Sequence, residues 1–255
     1  EKKMLDQKVR ARQSWKGTGD IQDNSIWFDI TSGIEPTEFL GYNDMEADCK
    51  IISILSEGMS VNKINKDQEA IIILNQTPFY GESGGQVGDQ GFFENDNFKF
   101  NITNTTKIFG NYFLHIGKVI SGHCEINDTI KASVNIKNRN FIKYNHSSPH
   151  LLHAALRKIL GKHVTQKGSL VNSEKLRFDF SHNNPIEKDE LIKVEKIVND
   201  QIQKDGTVKI KVVDQKKAIE EGAMALFGEK YSDEVRVVTM SQENESFFSK
   251  ELCGG

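Results

Sequence analysis

The spacing of apolar residues changes twice along the 255-residue chain. In residues 1–16 apolar positions recur at helical spacing, until the turn residues Gly17 to Asp20 end the run. From about 25 to 140, short runs rich in β-formers are separated by Gly, Asn and Asp, which is typical of strands. The pattern predicts a helical lead-in from a preceding domain (1–24), a β-rich domain (25–140) and an α/β domain (141–255).

The middle segment contains six runs that we predict to be strands. Many short strands with turn residues between them favour a barrel or a sandwich. A glycine-rich loop from Thr77 to Asp89 interrupts them, and its glycines permit positive φ angles and close approach to a ligand. The predicted strands are Ile26 to Ile30, Ala47 to Ser56, Ala70 to Leu74, Gly91 to Thr103, Tyr112 to Lys118 and Thr129 to Ile136.

The last segment alternates helical and strand-like patterns, which predicts a two-layer α/β domain. A helix is expected from near Ser148 to Leu160, with Gly161 as its cap. A second helix, from Glu187 to about Lys204, is expected to be buried through an apolar stripe. That stripe consists of Leu191, Val194, Val198 and Ile202; the other predicted elements are strands at Leu176 to Phe180, Thr207 to Val213 and Val235 to Met240 and a helix at Gln215 to Leu226.

The composition excludes several classes of protein. Hydrophobic residues make up 37% of the chain and charged residues 27%, which suits a packed core and a polar surface. No apolar run reaches the roughly 18–20 residues that span a bilayer, and no signal peptide begins the chain. Three scattered cysteines fit a reducing, cytoplasmic location. Because the first residue is Glu1, we expect a piece of a longer protein.

The charge balance limits which nucleic-acid partners are possible. A net charge of -3 argues against a non-specific coat on nucleic acid, but it permits a local basic groove for tRNA. Runs of basic residues are more often a solvated face, so this signal decides nothing alone. The basic candidates are Lys137, Arg139, Lys143, Arg157, Lys158, Lys162 and Lys167.

A cluster of histidines carries the strongest chemical signal. His146 and His150 are four residues apart, so on a helix they share a face and can both bind one zinc ion. His153 is rotated away and is expected to pack or cap. The metalloprotease motif needs Glu after the first histidine, where this chain has Ser147. Another ligand must come from elsewhere, and Cys253, followed by two glycines, is a good candidate.

Five sequence blocks, in order, are similar to the editing region of the alanyl-tRNA synthetases. Their number and order make the resemblance specific, and it covers nearly the whole chain. The blocks are Thr77 to Gly88 (TPFYGESGGQVG), Asn145 to Leu156 (NHSSPHLLHAAL), His163 to Phe180 (HVTQKGSLVNSEKLRFDF), Gly222 to Tyr231 (GAMALFGEKY) and Glu251 to Gly255 (ELCGG).

This resemblance implies a fold and a site. The expected fold is α+β, with a β-barrel-like domain (25–140) followed by a two-layer α/β editing domain with an H-x-x-x-H zinc site (141–255). Carried over residue by residue, one Zn²⁺ would be bound by His146, His150 and Cys253. The family's fourth ligand, a histidine, would lie two residues beyond Gly255.

The resemblance also assigns roles around the metal. Gln166 would lie close to the amino acid, and the loop at Gly84 and Gly85 would approach the 3′ end of tRNA(Ala). Arg177 and Asp179, in the R-F-D-F block, would support the catalytic pocket. The implied activity is hydrolysis of Ser-tRNA(Ala) and Gly-tRNA(Ala). Ligation of alanine with ATP and Mg²⁺ is expected only from the full-length enzyme.

Alternative functions stay open at this point. The chain could be a zinc-stabilised tRNA-binding module without turnover, or a free-standing trans-editing deacylase; a threonyl-tRNA synthetase editing domain fits the cysteine block less well. Zinc could activate water or anchor the substrate's amino group. Pro149 stands where the family usually has a hydroxyl residue, which puts serine discrimination in question and predicts a helix that starts close to Ser147.

Overall fold

A computed structural model describes residues 24–224, 234–240 and 247–254. The predicted lead-in helix at 1–16 and most of the block from Gly222 to Tyr231 lie outside the described residues. The described chain divides into two compact units. The first comprises the residues through Pro78 together with Phe93–Ala132, and the second comprises Phe79–Phe92 and the residues from Ser133 onward.

Six strands of the β-rich segment form a closed barrel. The strand order is β10-β7-β8-β9-β5-β2, and pairing of β10 with β2 closes it, while β3 and β4 pair at its margin. The elements are helix α1 (Asn24–Thr31) and strands β1 (Glu38–Phe39), β2 (Glu46–Ser56), β3 (Met59–Ser60), β4 (Lys63–Asn65), β5 (Glu69–Leu74), β6 (Gln76–Thr77), β7 (Gly91–Asn95), β8 (Phe98–Ile108), β9 (Tyr112–Glu125) and β10 (Thr129–Val134).

Alternating apolar residues explain why these strands form a barrel. Phe98, Phe100 and Ile102 of β8 point to one face and are almost completely buried. A buried histidine, His115, also lies inside, bonded through Nδ1 to the Ile72 carbonyl at 2.9 Å and through Nε2 to the Thr77 hydroxyl at 2.8 Å. The predicted β-barrel-like domain and the α+β class are therefore confirmed.

The second unit combines helices with a hairpin and a small sheet. Helices α2 and α3 pack on the β11–β12 hairpin around Ala155, Leu156, Val164 and Val194. The remaining strands form a three-stranded antiparallel sheet in the order β13-β14-β15. The elements are α2 (Ile136–Leu160), β11 (Gln166–Val171), β12 (Leu176–Phe180), α3 (Lys188–Gln203), β13 (Val208–Asp214), α4 (Gln215–Glu220), β14 (Glu234–Met240) and β15 (Ser249–Leu252).

The strand predicted from Ile26 to Ile30 is wrong, because these residues belong to helix α1. Trp27 is 8% exposed, whereas its neighbour Phe28 is 67% exposed. Ile30 packs in the same cluster as Trp27, and this spacing of three residues is helical. A short apolar run cannot be assigned to helix or strand from its periodicity alone.

The predicted start of the histidine-bearing helix is also wrong. Helix α2 begins at Ile136, after the Asn135 side chain accepts a hydrogen bond from the Asn138 amide at 3.1 Å. Pro149 therefore lies inside the helix, where it has no N–H to donate to the Asn145 carbonyl. The helix continues because the side chains after Pro149 are buried, and their packing outweighs the local cost of proline. An interpretation from helix propensity alone gave that cost too much weight.

The apolar stripe predicted for the next helix is only partly correct. Val194 is buried and Val198 packs on the cluster of α2, but Leu191 and Ile202 are 50% and 53% exposed. Because α3 contacts neighbours along one narrow face, the outer positions of the stripe face solvent.

Candidate metal centre

Helix α2 carries three histidines on one face, so the expectation that His153 is rotated away is wrong: it bonds the same Glu251 carboxylate as His150. His146 and His150 are one turn apart, with ring centroids 5.8 Å apart, and His150 is buried. His153 is completely buried against the ring of Phe178, with centroids 5.4 Å apart. The long helix is thus the scaffold that fixes the relative positions of the rings.

The end of the described chain brings a thiol to the same place. Cys253 directly follows β15, and its amide donates to the Arg236 carbonyl at 2.9 Å, which fixes its backbone. Its Sγ lies 3.2 Å from Nε2 of His146. Ligand atoms of His146, His150 and Cys253 all lie within 4.8 Å of one another. The structure therefore brings together the three residues that the sequence proposed as metal ligands.

The Nδ1 atom of each candidate ligand histidine faces a hydrogen-bond acceptor. Nδ1 of His146 is bonded to the side-chain oxygen of Gln86, and Nδ1 of His150 lies 2.6 Å from Oε2 of Glu251. Glu251 also accepts from Nδ1 of His153, at 2.8 Å through Oε1. Because each acceptor binds an Nδ1 proton, the neutral form of each of these two rings has its lone pair on Nε2.

The electrostatics of the site favour the metal-binding form of the cysteine. Burial alone raises the pKa of the Cys253 thiol, but the hydrogen bonds and charges of His146 and His150 lower it to about 5. Burial alone lowers the pKa of His150, but the hydrogen bonds and charges of Cys253 and Glu251 raise it to about 10. Near neutral pH the sulfur of Cys253 is therefore a thiolate, and the ring of His150 beside it carries a proton that a cation can displace.

The pKa of Glu251 also reflects its position. Burial alone raises it, yet the hydrogen bonds from His150 and His153 hold it below its ordinary value. Two imidazoles and a thiolate form a donor set that suits Zn²⁺, and the fixed Nδ1 protons supply the outer hydrogen bonds that zinc sites commonly show. The residues therefore fit a zinc ion.

The glycine-rich loop packs against this site within the same unit. Gly84 and Gly85 have φ angles of 56° and 80°, which favour glycine. A Cβ on Gly85 would lie 2.7 Å from the Ser169 carbonyl, so any larger residue would push the loop away from β11. Gly85 thus has a role in the packing of the protein itself, whereas contact of this loop with tRNA stays a prediction.

A buried ion pair closes the base of this loop. The Asp89 carboxylate accepts from Nε of Arg139 at 2.8 Å and from the Tyr80 amide at 2.7 Å. Side chains of Arg139 and Asp89 are 6% and 1% exposed. Arg139 is therefore unavailable for the basic groove to which the sequence assigned it, because its charge is already neutralised inside the unit.

The hairpin divides the remaining predicted residues between its two faces. Phe178 and Phe180 pack towards α2, and Gln166 pairs opposite Phe180, so its side chain shares that face. Arg177 and Asp179 point the other way and form an ion pair of 3.0 Å, with side chains 60% and 47% exposed. Gln166 is thus on a different face of the hairpin from Arg177 and Asp179.

Two residues of this centre, Gln86 and Glu251, escaped prediction from sequence. Both lay inside blocks that carried the resemblance, yet nothing in their spacing linked them to the histidines 60 and 101 positions away. The sequence offered one indication of their role: each is a polar residue in or beside a segment rich in glycine or carrying a cysteine. The structure shows that both are almost completely buried, where a polar group needs a partner.

Comparison with known proteins identifies the class. The family model described as "tRNA synthetases class II (A)" matches residues 1–138. The chain therefore belongs to the class II (A) tRNA synthetases.

Curated relatives narrow this class. The alanine–tRNA ligase of Chelativorans sp. (strain BNC1) is 44% identical over 254 residues, covering 98% of this chain and 29% of the relative. That of Nitrobacter winogradskyi is 45% identical over 259 residues, covering 99% of this chain and 29% of the relative. That of Parvibaculum lavamentivorans is 43% identical over 256 residues, also covering 99% and 29%. The resemblance to alanyl-tRNA synthetases is confirmed, and the chain spans about 29% of the length of these relatives.

One further property concerns membranes. Within the described ranges, the structure has no helix that is both long and apolar enough to cross a membrane.

Proposed function

We propose that this chain is the editing part of an alanine–tRNA ligase and hydrolyses the ester bond of Ser-tRNA(Ala) and Gly-tRNA(Ala). One Zn²⁺ would be held by Nε2 of His146, Nε2 of His150 and Sγ of Cys253. In the whole enzyme, ligation of alanine to tRNA(Ala) with ATP and Mg²⁺ would belong to other parts of the relatives' length.

The convergence of three ligands carries this proposal. The proposal is supported by a thiolate and two imidazoles that lie close together, with the outer nitrogen of each ring already bonded, because a metal site needs this arrangement. Side chains buried only for packing would not need a carboxylate shared between two rings. The similarity to alanine–tRNA ligases then supplies the substrate class.

The chain's own residues divide the work of the reaction. A bound zinc ion would supply a Lewis acid that polarises a carbonyl or lowers the pKa of a water towards about 7. Gln166, on the α2-facing side of the hairpin, would contact the aminoacyl group. Gly84 and Gly85 would leave room for the terminal ribose. Arg177 and Asp179 would support the pocket by fixing the outer face of β12.

The test is hydrolysis of purified Ser-tRNA(Ala), Gly-tRNA(Ala) and Ala-tRNA(Ala) by the chain loaded with one equivalent of zinc. Both mischarged tRNAs should be deacylated faster than Ala-tRNA(Ala). Cys253→Ala should lose at least about 100-fold in rate, because it removes a ligand rather than an outer partner. Cys124→Ala, a matched change at a buried cysteine of β9, should retain the wild-type rate.

Two other outcomes would change the conclusion. Zinc-dependent binding of Ser-tRNA(Ala) without hydrolysis, even in single-turnover reactions, would favour the binding module. Hydrolysis that is indifferent to both zinc and Cys253 would contradict the metal centre as the reactive site.

A further inference from the structure

A buried amide lies between the glycine-rich loop and the metal ligands. Gln86 is 6% exposed, and its side-chain oxygen bonds Nδ1 of His146. Its backbone amide donates to the Ser83 carbonyl at 2.9 Å, which fixes the position from which the side chain reaches the ring. Nothing in the sequence resemblance gives Gln86 a role.

The hydrogen bond of Gln86 decides which nitrogen of His146 faces Cys253. An amide oxygen can only accept, so His146 must carry its proton on Nδ1 and its lone pair on Nε2. Nε2 is the atom that lies 3.2 Å from the sulfur. Without this acceptor, the ring would lose both its preferred tautomer and a restraint on its orientation.

The loop itself is held on either side of this contact. Val171 of β11 donates to the Gly85 carbonyl at 2.8 Å, and the Val87 amide donates to the Val171 carbonyl at 3.0 Å. The Ser83 hydroxyl donates to the carbonyl of Gly254 at 3.0 Å, directly beside the ligand Cys253. One short loop thus contacts the helix that carries two ligands and the segment that carries the third.

We infer that Gln86 is a positioning residue of the metal centre, and that the glycine-rich loop holds the metal ligands in place. This inference rests on the proposed metal centre but needs no assumption about the substrate. Gln86 acts through His146. Its neutral amide accepts from Nδ1 of His146, as the Glu251 carboxylate accepts from Nδ1 of His150.

Metal binding to the whole chain provides the test. Affinities for Zn²⁺ and Co²⁺ would be measured by chelator competition for wild type, Gln86→Met and Gln86→Glu. Gln86→Met has similar length without an acceptor and should bind about 10- to 100-fold more weakly. Gln86→Glu restores an acceptor oxygen and should recover binding to within about threefold of wild type. Gln76→Met, the same replacement on strand β6, is the control and should leave the metal affinity unchanged.

Spectra distinguish positioning from general destabilisation. At saturating Co²⁺, Gln86→Met should keep the thiolate charge-transfer band because Cys253 still binds. Its ligand-field bands should shift because His146 is no longer oriented. Affinity within about twofold of wild type together with an identical cobalt spectrum would overturn the inference.

A measurement on the unmodified chain covers the case in which Gln86→Met does not fold. In ¹⁵N spectra of the zinc-loaded wild type, His146 should bind through Nε2 and keep a slowly exchanging Nδ1 proton. Binding through Nδ1 would overturn the role of Gln86. If wild type binds no zinc in a Cys253-dependent way, the proposed centre fails as well; if it binds and the Gln86 variants match it, only this inference fails.

Discussion

Replacing Glu251 tests whether one carboxylate organises two histidines. Its Oε2 and Oε1 accept from Nδ1 of His150 at 2.6 Å and of His153 at 2.8 Å, and the residue is 2% exposed. Glu251→Ala would leave both donors buried without this acceptor. Each such donor costs about 1–3 kcal/mol, so the metal-free protein should lose about 2–6 kcal/mol of unfolding free energy.

Glu251→Gln should be milder for a specific structural reason. Its amide oxygen can still accept from His150, while its NH₂ group faces His153. That ring can accept on Nδ1 if its proton moves to Nε2, which lies 3.4 Å from the Val164 carbonyl. The main loss is then the negative charge behind His150. We expect zinc affinity to fall about 10-fold for Glu251→Gln and nearer 100-fold for Glu251→Ala.

Two assays measure this series. Chelator competition gives the zinc affinity, and urea unfolding in excess chelator gives the stability of the metal-free chain. Glu125→Ala is the control, because this carboxylate pairs with Lys63 on the surface, with side chains 55% and 43% exposed; its loss should leave stability and zinc affinity close to wild type, since exposed ion pairs contribute little. Equal zinc affinities for wild type and both Glu251 variants would refute the reasoning.

Three further predictions concern the scaffold. Arg139→Met should lower the unfolding free energy by about 3–5 kcal/mol in urea titrations, because it removes the counter-charge of the buried Asp89 carboxylate; a loss below about 1 kcal/mol would contradict this. Burial lowers the pKa of His115 to about 4, despite its hydrogen bond to the Ile72 carbonyl. As the pH falls, the ring therefore binds a proton in the unfolded chain before it does so in the folded protein. About 3 kcal/mol of stability present above pH ~6.5 should be lost as the pH falls to ~4. His115→Gln should remove this slope and the exposed His123→Gln should keep it, so equal slopes in both would refute the assignment. Pro149→Thr restores an N–H inside α2 and should stabilise the chain by about 1–3 kcal/mol with unchanged zinc affinity. Under the proposed function it should also raise the ratio of Ser-tRNA(Ala) to Ala-tRNA(Ala) deacylation by about 5- to 150-fold; an unchanged ratio would place discrimination elsewhere.

Local patterning was enough to predict where most of the longer strands lie, although the run predicted from Gly91 to Thr103 is two strands, β7 and β8. In Leu176–Phe180, for example, apolar and charged residues alternate in the sequence, and half-buried and exposed side chains alternate in the structure in the same order. Prediction failed where tertiary packing overrides local preference. Pro149 suggested a helix start, but thirteen helical residues precede it from Ile136, because the helix is held by the packing of its C-terminal half.

The candidate site was predictable only where its residues were close in sequence. The pair His146 and His150 follows from the pitch of a helix, and Cys253 followed from a chemical preference of zinc together with the family resemblance. The acceptors behind these ligands depend on the folded chain. No spacing rule connects Gln86 or Glu251 to a ring that only tertiary structure brings near.

Under the proposed metal centre, this separation along the chain would link metal binding to folding. His146 and Cys253 are 107 positions apart, and the acceptor Gln86 lies 60 positions before His146. An unfolded chain would pay a large entropy to gather such groups, so it cannot offer the same site to a cation. A cation that binds only the folded form stabilises it by about 2.7 kcal/mol when present at roughly 100 times its dissociation constant. The hydrogen bond of Gln86 joins the glycine-rich loop to α2, and those of Glu251 join β15 to α2. A zinc ion bound by His146, His150 and Cys253 would therefore stabilise the contacts among all three segments.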